Sequence, residues 1–154
     1  MARGADWNGD GQEEMLVGCE SPDPRQAAGR VYLVDGRSAQ ILAVITSNQQ
    51  TNLFGHSVAL VGDVDGDAVP DWIVGAPSGT KETRHGFVEL YSGRTRHCIA
   101  HIEGEGAAFG VDVCGLGDCD GDGCPDFAVG TPPIVRNSSG QGSATIFSGR
   151  THQP

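Results

Sequence analysis

The 154-residue chain lacks several features that would each point to a particular class of protein. It has no cluster of Lys or Arg and its formal net charge is −10, which argues against binding to nucleic acid or to an anionic membrane surface. It has no run of about 18 apolar residues, so no membrane insertion is expected. Met1 is followed directly by polar sequence, which predicts that this chain carries no signal peptide.

Catalytic and zinc-binding signatures are also missing. The chain contains no G-x-S-x-G segment and no H-E-x-x-H segment, and its five His are scattered, so we expect no enzymatic activity. The five Cys include no C-x-x-C pair, which disfavours a zinc site. Cys119 and Cys124 flank one acidic segment, where they either pair or stay as free thiols, and we favour free thiols.

Glycine, by contrast, is abundant, with 24 residues in the chain. Ordinary usage would give about 7% glycine. The glycines fall between short apolar runs that alternate or lack any helical period, which is typical of strands joined by tight turns. The composition therefore predicts an all-β protein.

An acidic segment occurs three times in the chain. DWNGDGQEE begins at Asp6, DVDGDAVPD at Asp63 and DCDGDGCPD at Asp118, with separations of 57 and 55 residues. Each is followed by an apolar run, and later by GRVYLVDGR, GFVELYSGR or GSATIFSGR at the same phase. These repeats predict one partial β-propeller over 1–154, with repeat units 1–53, 54–108 and 109–154.

Each unit offers about four antiparallel strands, the size of a propeller blade, whereas the repeats of a β-solenoid are usually shorter. The first unit is expected to lack its first strand and the last unit its fourth, which predicts ten strands. Alternation places Val88 and Leu90 on one inward face, with Val31, Leu33, Ala144 and Ile146 at the aligned positions. Because three partial blades do not close a ring, we expect a homo-oligomer or part of a longer chain.

The acidic segments have the spacing of metal-binding loops, with side-chain oxygens at positions 1, 3, 5 and 9 and a backbone carbonyl at position 7. Ca²⁺ takes 6–8 such oxygens and suits this donor set better than Mg²⁺, so up to three Ca²⁺ are expected. The alternative is an acidic Asp/Gly turn without metal. The predicted ligands are Asp6, Asn8, Asp10, Gln12, Glu14, Asp63, Asp65, Asp67, Val69, Asp71, Asp118, Asp120, Asp122, Cys124 and Asp126.

An EF-hand is excluded, because its position-12 Glu is replaced by Val17, Val74 or Val129. The loops also differ from one another. Ala68 stands where the other two loops have Gly11 and Gly123, and it is strained there if the backbone needs positive φ. The third loop is therefore expected to bind best.

The segment from Phe54-Gly55 through LVGDVDGDAVPDWIVGAP to GFVELYSGR resembles the FG-GAP repeat, the blade unit of the integrin α-subunit propeller. Phe109-Gly110 with GLGDCDGDGCPDFAVGTP resembles a second copy, and DWNGDGQEEMLVGCE a third. The resemblance implies a β-propeller with Ca²⁺ in its loops, located outside the cell or at its surface.

The resemblance also implies adhesion or recognition of a protein or carbohydrate ligand. The ligand would meet the face opposite the calcium loops, formed here by 20–29, 47–54, 76–86 and 131–142. The alternative is a structural fragment or self-assembling unit that completes a larger propeller without a ligand of its own.

Two further motifs carry expectations. Arg37, Arg94 and Arg150 follow the third strand of each unit and are expected to brace neighbouring blades. Asn137 fits a glycosylation acceptor pattern.

Overall fold

The computed structural model of the chain describes residues 2–21, 29–47, 53–78, 85–133 and 141–154. Within these ranges every regular element is a β-strand and every strand pair is antiparallel. The same residues contain no helix with the length and hydropathy that crossing a membrane requires. The predicted all-β fold built from propeller-type blades is confirmed.

The strands form three sheets that follow one another along the chain, and we call them blade 1, blade 2 and blade 3. Blade 1 contains β1 (Ala2–Arg3), β2 (Met15–Cys19), β3 (Arg30–Val34) and β4 (Ile41–Thr46). Blade 2 contains β5 (Ser57–Gly62), β6 (Asp71–Ala76), β7 (Phe87–Tyr91) and β8 (Cys98–Glu103). Blade 3 contains β9 (Asp112–Gly117), β10 (Asp126–Thr131) and β11 (Ser143–Phe147). In every blade, strands adjacent in sequence are adjacent in the sheet.

The prediction that the first unit lacks its first strand is wrong. Ala2 and Arg3 form β1, which pairs with Leu16 and Met15 of β2. The chain therefore has eleven strands in its described residues rather than ten. The strand was missed because two residues are too short to show an alternating pattern, and only the pairing with β2 identifies them.

Blade 1 packs face to face against blade 2. Leu16, Val31 and Leu33 on one face of blade 1 are fully buried. They form a single apolar cluster with blade 2 residues that include Trp72, Val74, Phe87 and Tyr91. Burying a side chain of this size stabilises the folded state by roughly 1.5–3 kcal/mol, so this cluster is the main cohesive force between the two blades.

Blade 2 repeats the same packing against blade 3. Ile73, Val88 and Leu90 on its opposite face form a second cluster with Phe127, Val129 and other apolar residues of blade 3. All five residues of β7 are buried, because a blade covers each face of this strand. The aligned Val31, Leu33, Val88 and Leu90 therefore share a buried face, as expected.

The two outer faces of the stack are uncovered within the described residues. In blade 3, Ile146 is 56% exposed and Leu116 is 39% exposed, although Ile146 aligns with the buried Leu33 and Leu90. On the opposite outer face, Val44 of blade 1 is 50% exposed. The apolar pattern of Ala144 and Ile146 thus matches a blade-to-blade contact that no described residue completes.

The Phe-Gly pairs form the turns that join one blade to the next. Phe54 is fully buried in the cluster between blades 1 and 2, and Gly55 has a φ of 85°. A Cβ on Gly75 of β6 would lie 2.1 Å from the carbonyl oxygen of Gly110, which belongs to the following turn. The Phe-Gly turn of one unit therefore rests on a strand glycine of the preceding blade.

We predict that Gly75→Ala lowers the free energy of unfolding by about 1–3 kcal/mol, because the new methyl group must displace the Gly110 carbonyl and the Ser57 hydroxyl that is bonded to it. The matched control is Gly130→Ala, at the aligned position of β10, where the nearest atom to the new Cβ is Asp112 Cβ at 3.4 Å. Urea denaturation measures both variants. Equal losses for the two would contradict the proposed docking of the turn.

Candidate metal centre

The three acidic loops share one backbone conformation, in which the first aspartate of each loop organises the turn. In loop 2 (63–71), Asp63 Oδ1 accepts the N–H groups of Gly66 at 2.7 Å and Asp67 at 3.0 Å, and Asp63 Oδ2 accepts the N–H group of Ala68 at 2.8 Å. Loop 1 (6–14) and loop 3 (118–126) repeat these three bonds. Each loop lies between the first and second strands of its blade.

The side chains at positions 3 and 5 also accept bonds from the loop backbone. Asp65 Oδ1 accepts the N–H group of Asp67 at 3.2 Å, and Asp67 Oδ1 accepts the N–H group of Val69 at 2.8 Å. Loops 1 and 3 have the same pair of bonds. These short-range bonds turn the side-chain oxygens of each loop toward one another.

Carboxylate oxygens consequently cluster in every loop, with one oxygen of each member within 4.8 Å of the others. The clusters are Asp6, Asp10 and Glu14; Asp63, Asp65 and Asp71; and Asp118, Asp120 and Asp122. All the donors are oxygens, the ligand type that hard cations such as Ca²⁺ prefer. The chemistry of this donor set fits the expected ion.

Position 9 has a structural task in addition to any role as a ligand. Asp71 is fully buried, and its Oδ2 accepts the N–H group of Val64 at 2.7 Å while its Oδ1 accepts that of Gly93 at 2.7 Å. Asp126 binds the equivalent N–H groups of Cys119 and Gly149 in loop 3. This carboxylate therefore ties the acidic loop to the turn that follows the third strand.

In loop 1 the same position is occupied by Glu14, which is also fully buried. Glu14 Oε2 accepts the backbone N–H group of Trp7 at 2.6 Å, and Glu14 Oε1 accepts the amide of Asn8 at 3.0 Å. The Asn8 amide donates a further bond to Asp35 Oδ2 at 3.1 Å, while Asn8 Oδ1 accepts a backbone N–H group. The Glu14 side chain thus accepts the backbone N–H group of the position-2 residue, as Asp71 and Asp126 do in the other two loops.

The buried carboxylates of blades 2 and 3 have opposite pKa shifts. Burial raises the pKa of Asp71 above its usual value, because desolvation disfavours the ion. The backbone N–H groups of Cys119 and Gly149 lower the pKa of Asp126. Among the described residues, blade 2 is covered on both faces and blade 3 on one, which accounts for the stronger desolvation of Asp71.

The prediction that Arg94 and Arg150 brace neighbouring blades is wrong. Arg94 donates from Nη2 to the carbonyl oxygen of Asp67 at 2.7 Å and from Nε to its carboxylate at 3.2 Å. Arg150 makes the same two bonds to Asp122, at 2.6 and 2.8 Å. Each arginine therefore supports position 5 of the loop in its own blade. The signal for this role was the repeated Ser-Gly-Arg triplet, whose Arg follows position 5 of the acidic segment by 27 residues in blade 2 and by 28 in blade 3.

Three of the predicted side-chain ligands are thus close together in each loop, at positions 1, 5 and 9 in loop 1, positions 1, 3 and 9 in loop 2, and positions 1, 3 and 5 in loop 3. Ligation of a cation by these residues and by the remaining predicted side chains stays a prediction. At position 7, the backbone N–H groups of Gln12, Val69 and Cys124 bind the position-5 carboxylate, and the expected carbonyl ligation by these residues stays a prediction. The ranking of loop 3 as the best site also stays a prediction.

The remaining expectations concern thiols and surface segments. All five cysteines are free thiols, so Cys119 and Cys124 are not paired. Burial raises the pKa of the Cys124 thiol, which faces the carbonyl oxygen of Val64. The central parts of the predicted ligand-binding segments (22–28, 48–52, 79–84 and 134–140), with Asn137, lie outside the described residues.

Comparison with known proteins supports the same repeat type. No family model matches the chain. It is 32% identical to integrin alpha-PS2 of Drosophila melanogaster over 97% of its own length, and 35% identical to integrin alpha-IIb of Homo sapiens over 81%. It is also 31% identical to integrin alpha pat-2 of Caenorhabditis briggsae over 82%. The chain is an integrin α-type FG-GAP β-propeller region.

This FG-GAP region corresponds to only a small part of each relative. It spans 11% of the length of integrin alpha-PS2, 14% of integrin alpha-IIb and 12% of integrin alpha pat-2. The similarity therefore identifies the kind of blade and the kind of loop, while the activity of the whole protein has to be proposed separately.

Ala68 is the residue at which the loops of this FG-GAP region differ most in backbone strain. Its φ is 66°, close to the 83° of Gly11 and the 86° of Gly123 at the same position. The expectation that this position needs positive φ is confirmed. A side chain there costs roughly 1 kcal/mol relative to glycine.

We predict that Ala68→Gly raises the free energy of unfolding by about 0.5–1 kcal/mol through relief of this strain. The reciprocal variant, Gly123→Ala, should lower it by a similar amount, since its Cβ would meet only Arg150 Nη2 at 3.9 Å. Thermal unfolding in the presence of a chelator measures both. Shifts of the same sign would show that φ does not decide the stability of these loops.

Proposed function

We propose that this FG-GAP region is a calcium-binding β-propeller module of an extracellular or cell-surface recognition protein. The observation that carries the proposal is the recurrence of one oxygen-lined loop geometry in three blades. Ca²⁺ would be held by side-chain oxygens at positions 1, 3, 5 and 9 and by the carbonyl at position 7 of each loop. The repeat units 1–53, 54–108 and 109–154 would each contribute one site.

Calcium suits these loops better than magnesium. Mg²⁺ requires a small, nearly octahedral shell and keeps several of its waters, whereas Ca²⁺ accepts many carboxylate and carbonyl oxygens. Each loop offers four side-chain oxygen donors in a curled backbone, which favours the larger ion. Three Ca²⁺ would also change the formal charge of the chain from −10 to −4, so they would offset much of its self-repulsion.

The role of calcium would be structural rather than catalytic. Each loop joins two strands of a blade, and in loops 2 and 3 the buried position-9 carboxylate also binds the turn after the third strand. An ion bound there would stiffen the corner of the blade where these segments meet. A protein or carbohydrate ligand would bind to other loops, for which the segments 20–29, 47–54, 76–86 and 131–142 are the candidates.

We predict that saturating Ca²⁺ raises the melting temperature and that EGTA reverses the rise, because the ion binds the folded loops and not the unfolded chain. At a concentration about 100 times its dissociation constant, one bound ion stabilises the fold by roughly 2.7 kcal/mol. Mg²⁺ at the same concentration should give a smaller rise. An unchanged melting temperature in EGTA would disprove the calcium proposal.

Two variants of loop 2 separate binding of the ion from support of the loop. Asp65→Asn keeps the acceptor for the Asp67 N–H group, so it should leave the stability in EGTA nearly unchanged and reduce the gain from Ca²⁺. Asp71→Asn removes an acceptor from a fully buried set of backbone N–H groups and should cost about 1–3 kcal/mol even in EGTA.

The two open outer faces favour a second proposal, that further blades of the same kind cover them. The outer face of blade 3 has Ile146 and Leu116 at the positions that are buried between blades 1 and 2 and between blades 2 and 3. A longer chain or a second copy of this chain would supply the complementary face. In this proposal the region completes a larger propeller and needs no ligand of its own.

If copies of this chain assemble, we predict that sedimentation gives a mass above that of one chain. Ile146→Lys should lower the measured mass, because the contact would then bury an unpaired charge. Thr95→Lys, in an exposed turn of blade 2, is the control and should leave the mass unchanged. A well-folded monomer at all concentrations would show that a second copy does not cover these faces.

A further inference from the structure

Trp7 connects the acidic loop of blade 1 to that of blade 2. It occupies position 2 of loop 1, and its indole Nε1–H donates to the carbonyl oxygen of Pro70, at position 8 of loop 2, over 2.7 Å. The same ring meets Trp72, the residue after loop 2, edge to face with ring centroids 5.2 Å apart. One side chain of the first loop therefore contacts the backbone and the exit of the second.

Trp7 links the position-9 carboxylate of loop 1 to the peptide that precedes the position-9 carboxylate of loop 2. Its backbone N–H group donates to Glu14 Oε2, the buried carboxylate of loop 1. Its indole holds the Pro70 carbonyl, which belongs to the peptide unit that leads into Asp71, the buried carboxylate of loop 2. A change in the position of Glu14 is thus transmitted to the peptide that orients Asp71 through a single residue.

The junction is shaped for the indole. A Cβ on Gly93, whose N–H group binds Asp71, would lie 2.8 Å from Trp7 Nε1 and 2.0 Å from the Pro70 oxygen. Glycine at this position therefore leaves room for the bond between Trp7 and Pro70.

The junction between blades 2 and 3 is different, because Val64 occupies position 2 of loop 2. Val64 packs against the apolar cluster of blades 2 and 3, and its side chain has no N–H group to donate to Pro125. Loops 1 and 2 are thus joined by an indole N–H hydrogen bond, whereas loops 2 and 3 are joined by the weaker contact of the Cys124 thiol with the Val64 carbonyl.

We propose that Trp7 is a positioning residue for calcium in loop 2 and couples the calcium affinities of loops 1 and 2. This inference rests on the proposed calcium function. The indole holds the peptide before Asp71 in place in the ion-free loop. The entropy cost of ordering loop 2 on Ca²⁺ binding is therefore smaller, and the affinity is higher. Calcium in loop 1 restrains Glu14 and hence Trp7, so the coupling between the loops is positive and reciprocal.

The test isolates loop 2 with Asp10→Asn in loop 1 and Asp120→Asn in loop 3, which each remove a charge and keep the acceptor for a loop backbone N–H group. In this background, calorimetry measures Ca²⁺ binding to loop 2 alone. Trp7→Phe keeps an aromatic ring but removes the donor, and it should weaken the affinity about three- to tenfold, the range expected for one net hydrogen bond. Trp72→Phe is the matched control, since it retains the bond between Trp7 and Pro70, and it should change the affinity less than about twofold.

Tryptophan fluorescence provides a second measurement. If Trp7 served only to pack blade 1 on blade 2, Ca²⁺ binding to loop 2 would not change its emission. Trp7 and Trp72 are the only tryptophans of the chain, and both lie at this junction. When loops 1 and 3 carry the Asp→Asn substitutions and both tryptophans are retained, Ca²⁺ binding to loop 2 should change the tryptophan emission. In the Trp72→Phe variant the same change should persist, because it then reports on Trp7 alone.

The coupling itself is measured by restoring loop 1. With Trp7 present, the affinity of loop 2 should be at least about twofold higher when loop 1 is intact than when it is silenced, and with Trp7→Phe this ratio should fall to about one. Equal ratios, or equal affinities for Trp7→Phe and the parent, would overturn the role of Trp7 and leave calcium binding intact. No calcium uptake by the unmodified chain would overturn both this inference and the proposed function.

Discussion

The buried carboxylate at position 9 of each acidic loop is the interaction on which the local structure depends. Glu14, Asp71 and Asp126 are almost completely removed from solvent, yet each sits among backbone N–H groups that require an acceptor. Because Asp71 and Asp126 bind the loop on one oxygen and the turn after the third strand on the other, three separate segments of the blade meet at one side chain. Hydrogen bonds from this side chain thereby hold the acidic loop of blades 2 and 3 against the rest of the blade.

Electrostatic repulsion within the same loops destabilises the folded state, because several negative charges lie within a few ångströms of one another. Arg94 and Arg150 offset part of this cost by binding the position-5 aspartate of their own loop, but both side chains are largely exposed, and exposed ion pairs contribute little. Most of the repulsion is left for a cation or for counterions to screen. Binding of the proposed cation would therefore be linked to stability through charge as well as through ligation.

Much of the fold followed from the sequence because the repeats are in phase. Three acidic segments with aligned apolar runs implied three similar sheets, and Ala68 at a glycine position implied the positive φ that it has. The sequence could not show contacts that depend on the stacking of blades or on very short pairing. The two residues of β1 are too few to show a periodicity. The recurrence of Arg94 and Arg150 in the sequence does not reveal whether each side chain turns toward its own loop or toward a neighbouring blade. Trp7 looked like one apolar residue within a polar loop, and only the packing of blade 1 on blade 2 brings its indole to Pro70.

Stacking of the blades also brings neighbouring acidic loops into contact. Each blade places its acidic loop between its first two strands, and the Phe-Gly turn of the next unit rests on a glycine of the preceding blade. Neighbouring loops are consequently held side by side, where a side chain at position 2 reaches the following blade. Trp7 uses this position for a hydrogen bond and Val64 for apolar packing. A cation that orders one loop must therefore also restrain the interface beside it, and loosening that interface must weaken the hold on the cation, since linkage between the two is reciprocal.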